Sequence, residues 1–133
     1  MSIIATNDLE VADSTTVELD DKNGNELLDA AGQGRRSITI YGPGSRQFAE
    51  AQAKHNARGL KRMRTRGGRV TANADEEIGA KASFLADITI SFNGFGLSEE
   101  QQTRDAFREF YANTGVGYLT DQVNTAAGDW ANF

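Results

Sequence analysis

The chain predicts an α+β fold: a small N-terminal antiparallel β-hairpin or sheet followed by about four helices. Three observations predict it. Alternating, β-branched segments at residues 15–19 (TTVEL) and 37–41 (SITIY) fall in the first third of the chain. Apolar residues at helical spacing occupy most of the rest. Between the two regimes stands Gly42-Pro43-Gly44-Ser45, which ends a strand sharply.

Taken in order, residues 1–14 read as a flexible arm, with few apolar residues among Asp8, Glu10 and Asp13. Residues 15–133 read as a single α+β domain. After the first strand, Asp21-Lys22-Asn23-Gly24-Asn25 supplies a turn, and Asn-Gly is its strongest pair. Residues 26–31 continue as an irregular strand or a short helical turn, and 32–36 as loop. Ser45 is positioned to cap a helix over 46–64, where alanines at 49, 51, 53 and 57 favour the helical state. The Gly67-Gly68 pair and the lack of period predict a mobile linker near 65–74.

A second helix is expected from about Asp75, with Ile78, Ala82, Leu85, Ile88 or Thr89, and Phe92 in register. The rival reading makes residues 88–92 (ITISF) a strand. Ser98 and Gln101 form a capping-box pattern that opens a third helix with Phe107, Phe110 and Tyr111 inward. Gly115 and Gly117 break it. The last helix starts near Tyr118 and carries Leu119, Val123 and Trp130 in register. No internal repeat is read.

At 133 residues the chain suits one domain and can bury roughly two thirds of its unfolded surface. It has no cysteine, which excludes disulfides, thiolate metal sites and cysteine nucleophiles. The opening residues lack a signal-peptide pattern, and no stretch approaches the ~20 apolar residues of a membrane span. A protein that is cytosolic, or exported by a route that needs no signal, is expected, without a membrane partner.

The net charge of −5 hides blocks: −7 over residues 1–29, +2 over 30–45, +7 over 46–69 and −7 over 70–133. Opposed blocks favour pairing within a molecule or between copies. Lys54, Arg58, Lys61, Arg62, Arg64, Arg66 and Arg69 crowd one segment. They read first as a solvated face paired with the chain's own acids, then as a surface for an acidic protein, which includes a second copy. Nucleic acid is disfavoured, because no aromatic residue interleaves the block and the protein is acidic. At the end of the chain, Trp130 and Phe133 read as core residues by default. Exposed, they would anchor a partner.

No catalytic, cofactor or metal site is read. Counted from Asp21, a calcium loop would need Gly at its sixth position and Glu at its twelfth, where Glu26 and Gly32 stand. The glycine-rich turn before Arg46 lacks the Gly-Lys-Ser/Thr ending of a phosphate loop. His55, the single histidine, has Lys54 and Asn56 as neighbours and no orienting acid in sequence. A non-enzyme without cofactor is therefore expected.

The order of segments 37–48 (SITIYGPGSRQF), 84–87 (FLAD), 121–123 (DQV) and 128–133 (GDWANF) resembles small tail assembly chaperone-type proteins of tailed bacteriophages and prophages. The resemblance spans about residues 17–133. It implies a binding role in the host cytoplasm: keeping a long, helical tape measure protein in solution while tail-tube subunits assemble, with no catalytic residue. Self-association into a homo-oligomer is compatible with it. The alternatives are a structural tail or head-tail component of the virion, and a small regulator or inhibitor that binds nucleic acid or a host complex through residues 54–69.

Overall fold

A computed structural model describes residues 4–65 and 73–133. The elements are β1 (Ser14–Glu18), β2 (Ser37–Tyr41), α1 (Arg46–Thr65), α2 (Ala74–Ile88), β3 (Thr89–Asn93), α3 (Arg104–Ala112) and α4 (Gly117–Ala127), with short 3-10 turns at Glu99–Gln101, Thr114–Val116 and Trp130–Asn132. The class is α+β: among the described residues there are one three-stranded antiparallel sheet and four helices, with the β1–β2 hairpin on the N-terminal side. The linker expected near 65–74 falls largely on 66–72, outside the described residues.

The sheet order is β1-β2-β3, so β2 is central and pairs antiparallel with both neighbours. Its alternation decides the layering. Ile38 and Ile40 are fully buried and face the helices. Beneath them lie Leu85 and Ile88 of α2, Phe107 and Tyr111 of α3, and Leu119 and Val123 of α4. The opposite face is polar. There the Thr16 and Thr39 hydroxyls meet at 3.1 Å, and the Asn93 amide donates to Thr39 at 3.1 Å and to Ser37 at 3.2 Å.

β3 corrects the helical reading of residues 89–92. The pattern Thr89-Ile90-Ser91-Phe92 satisfies both periods, and the open edge of β2 selects the strand. α2 stops where the Thr89 hydroxyl donates to, or shares a bond with, two partners: the Leu85 carbonyl and the Tyr111 hydroxyl, each at 2.7 Å. Ile38 then pairs with Phe92, and Ile40 with Thr89, a register shift that leaves Ile90 as a bulge. Phe92 stacks on Phe107 with centroids 4.8 Å apart and meets Phe110 edge-on at 4.9 Å.

The cap read from the sequence at Ser45 is present, and the one read at Ser98 opens a different element. The Ser45 hydroxyl accepts from the Phe48 N–H at 3.1 Å, as expected for the cap of α1. Asn73 caps α2 by accepting from the Asp75 N–H at 2.9 Å. The Ser98–Gln101 pair does interact, the Gln101 side chain accepting from the Ser98 N–H at 2.9 Å, but it opens only a 3-10 turn. α3 begins later, at Arg104, with Thr103 accepting from the Ala106 N–H.

Residues 20–36 hold a repeat that the sequence reading did not see. Asp21 and Asp29 each start a five-residue turn. In each, the aspartate Oδ1 accepts from backbone N–H groups two and four residues on, at 2.8–3.1 Å. In each, a glycine three residues on donates back to the aspartate carbonyl and has positive φ (Gly24, 84°; Gly32, 69°). The segment between them is neither regular strand nor helix: Leu27 donates to Leu19 and accepts from Arg36, closing a ring of backbone bonds with the Leu19-to-Arg36 bond. Over this ring sits Arg35, which reaches the Leu19 carbonyl at 3.1 Å, Glu18 at 3.0 Å, and Asp20. It thereby neutralises part of the acidic N-terminal block.

Candidate partner-binding surface

The surface grows from the meeting of the two chain ends beside the Gly42-Pro43-Gly44-Ser45 turn. After α4, Gly128 ends the helix and the Asp129 carboxylate accepts from the Ala131 N–H at 3.0 Å, starting a 3-10 turn. Helical register is lost there. Trp130, expected in the core, is 57% exposed, whereas Phe133 is partly buried and packed on the core. The correction has a plain cause: the register that would have buried Trp130 ends two residues before it.

Both glycines of the turn are seats for this terminus. A Cβ on Gly42 would overlap the Phe133 ring. A Cβ on Gly44 would lie 2.8 Å from Val11 Cγ2 and 3.4 Å from Trp130 Cζ3. The Phe133 carbonyl accepts from the Ala12 N–H at 3.1 Å, and Gly42 donates to Asp13 at 2.7 Å. The N-terminal arm is thus brought against the C-terminus. Leu9, Glu10, Val11, Asp13, Gly44 and Trp130 line a cleft of about 440 Å³. Leu9 is 71% exposed, so two large apolar side chains stand at a cleft edged by two carboxylates.

The basic residues occupy a different region. Lys54 is exposed on α1. Arg58 turns inward, its Nη2 3.5 Å from Asp87 of α2, and Arg104 of α3 bonds the other carboxylate oxygen. Lys61 and Arg58 line a groove of about 370 Å³ with Arg108, Asp75 and Glu76. Arg108 donates to Ser83 at 2.8 Å. Arg62 and Arg64 belong to the last turns of α1, and Arg66 lies outside the described residues. The structure therefore brings Arg58 and Lys61 to the acid-bearing start of α2, and groups Trp130 with Leu9 and Val11. His55 packs against the Phe84 ring at 5.4 Å, which explains its place on the inner side of α1.

Sequence reasoning missed Leu9, Val11 and the seating role of Gly42 and Gly44. The available signal was a pair of glycines next to the chain's one tryptophan in space, which only the fold reveals. No family model matches this chain, and neither a curated protein nor a solved structure does. Among the described residues, no helix is long and apolar enough to cross a membrane.

Proposed function

We propose that this protein is a tail assembly chaperone of the tailed-phage type, acting in the host cytoplasm by binding an apolar segment of a tape measure protein. The observation that supports it most is the exposed Trp130 at the cleft it shares with Leu9 and Val11. Tryptophan is the side chain best suited to anchoring a partner, because it offers a large rigid area to desolvate. Glu10 and Asp13 at the same cleft favour a client segment that carries a basic residue beside its apolar one. The resemblance of the segment order to such chaperones suggests the client, and the exposed surface suggests the mode of contact.

Co-expression with a tape-measure fragment tests this. The wild-type chain raises the soluble fraction of the fragment, and Trp130→Ala lowers that gain by several-fold. Because Trp130 is mostly exposed, the variant keeps its melting temperature within a few degrees. An unchanged soluble fraction with wild-type protein counts against the client. An undiminished effect with Trp130→Ala counts against the surface.

A further inference from the structure

We infer that the outer edge of β1 pairs with β1 of a second copy of this chain, antiparallel and centred on Thr16, so that two sheets join into one of six strands. The inference holds independently of which client the Trp130 cleft takes.

It starts from where the backbone groups point. In an antiparallel pair, residues alternate between bonding the neighbour and facing away. Leu19 donates to Arg36 at 3.1 Å and Gly42 donates to Asp13 at 2.7 Å. Extended through the register Thr15–Ile40 and Val17–Ile38, the odd-numbered residues 13–19 bond β2. The N–H and C=O groups of Ala12, Ser14, Thr16, Glu18 and Asp20 therefore face outward.

The ends of that row are closed by the molecule itself. The Ala12 N–H donates to the Phe133 carbonyl. At Asp20 the Gln122 side chain imitates a strand: its Oε1 accepts from the Asp20 N–H at 2.8 Å, and its Nε2 donates to the Asp20 carbonyl at 2.9 Å. The opposite edge of the sheet is treated in the same way. There Gln102 accepts from the Phe92 N–H at 2.9 Å and donates to its carbonyl at 2.7 Å, and the Ile90 bulge breaks the line of the strand. Between the two closures on β1, Ser14, Thr16 and Glu18 are exposed, and their backbone groups have no partner among the described residues.

The open window is symmetric about Thr16, and that symmetry selects the occupant. A two-fold axis there sets Thr16 against Thr16, and Ser14 against Glu18, in both directions. All three outward-facing residues find outward-facing partners. Moving the centre to Thr15 would set Glu18 against Ala12, whose N–H is already taken. Charge agrees with the same register. Glu18 faces the Ser14 hydroxyl, and Asp13 and Asp20 face Leu19 and Ala12, so no acid stands opposite an acid despite the −7 block. A parallel pairing in register would instead align every acid with its copy. The strand has no proline, lysine or bulge of the kind that guards an edge. The Thr39–Thr16 hydroxyl contact on the polar face continues across the joint.

A window this short gives a reversible contact, so a covalent trap is the right readout. The chain has no cysteine of its own. In a bonded antiparallel pair the facing Cα atoms lie about 5.5 Å apart, which suits a disulfide. Two copies of residue 14 would lie roughly 14 Å apart, which does not. Thr16→Cys is therefore expected to form a disulfide dimer under mild oxidation at least about tenfold faster than Ser14→Cys, since pairing replaces random collision by a high effective concentration. Thr16→Lys mixed with Thr16→Glu is expected to yield a mixed dimer in sedimentation, whereas each alone sediments as monomer. Equal cross-linking rates at the two positions, no cross-link at either, or no mixed dimer overturns the pairing and leaves the edge to a strand from a different protein.

Discussion

Single side chains carry several of the fold's decisions. Tyr111 is 4% exposed and joins Thr89, whose hydroxyl also bonds the Leu85 carbonyl. One polar chain thus ties α3 to the point where α2 becomes β3. Burial pushes the Tyr111 phenol well above its ordinary value of 10.0, and the Thr89 bond offsets only part of that shift. The neutral form is the one the folded state keeps. Below pH 10 both states hold the proton and this group adds no pH dependence. Above it, the unfolded chain ionises first and stability falls by up to about 1.4 kcal/mol per pH unit. Tyr111→Phe removes that contribution, so its urea midpoint should decline less than the wild type's between pH 10 and 11. At pH 7 the variant should lose about 1 kcal/mol for one buried hydrogen bond. Gly42 makes a second test. Gly42→Ala drives a methyl into the Phe133 ring and should lower stability by about 1–3 kcal/mol. The cost should shrink in the Gly42→Ala/Phe133→Ala pair, a coupling that thermal melts of the four proteins would read.

Elements were legible wherever a local signal was enough. β2 matches the alternation of SITIY residue for residue, and the Ser45 cap places the start of α1 correctly. β3 was not decided by its own residues, because Ile88, Phe92 and the residues between them fit a helical stripe and an alternating strand alike. The deciding partner, Ile38 in β2, is 54 residues away from Phe92. The capping box at Ser98 misplaced α3 for a related reason: it is a real local motif, but Gln102 is drawn off to bond Phe92 before the helix can begin. Trp130 shows the limit for the candidate site. Its exposure depends on Gly128 ending α4 and on Gly44 receiving the ring, neither of which spacing records. The glutamine closures are testable at this scale. Gln102→Ala leaves one partly buried N–H and one C=O of Phe92 without their partner and should cost about 1–3 kcal/mol in urea unfolding. Gln102→Glu keeps the acceptor and loses the donor, so it should fall between the two.

The charge blocks act on the molecule as a whole. The acidic N-terminal block is gathered by Arg35, and the basic block of α1 meets α2 and α3 at Asp87. That carboxylate is 11% exposed, while Arg58 and Arg104 are 37% and 45% exposed. The three residues belong to three different helices, and among the α1 side chains described Ala51 is the one buried apolar residue, with Phe48 partly buried against the core. Phe48 and His55 add ring contacts to Phe84. Arg58 is thus one tie that holds the second half of α1 to the body. Asp87→Ala removes the shared anion from both arginines. Because both cations keep access to water, the loss is screened and should amount to about 1–3 kcal/mol rather than the larger cost of a fully buried pair. Its distribution is the sharper expectation. Amides in α1 from Arg58 onward should exchange with solvent markedly faster in the variant, while those of Ile38 and Ile40 should quicken only in line with the loss of global stability. Arg104→Ala, which leaves the Arg58–Asp87 pair in place, should lower global stability without that selective release. If α1 keeps its protection in Asp87→Ala, then its other contacts with the body, the packing on Phe84 among them, and not this ion pair, bind the basic helix to the rest of the fold.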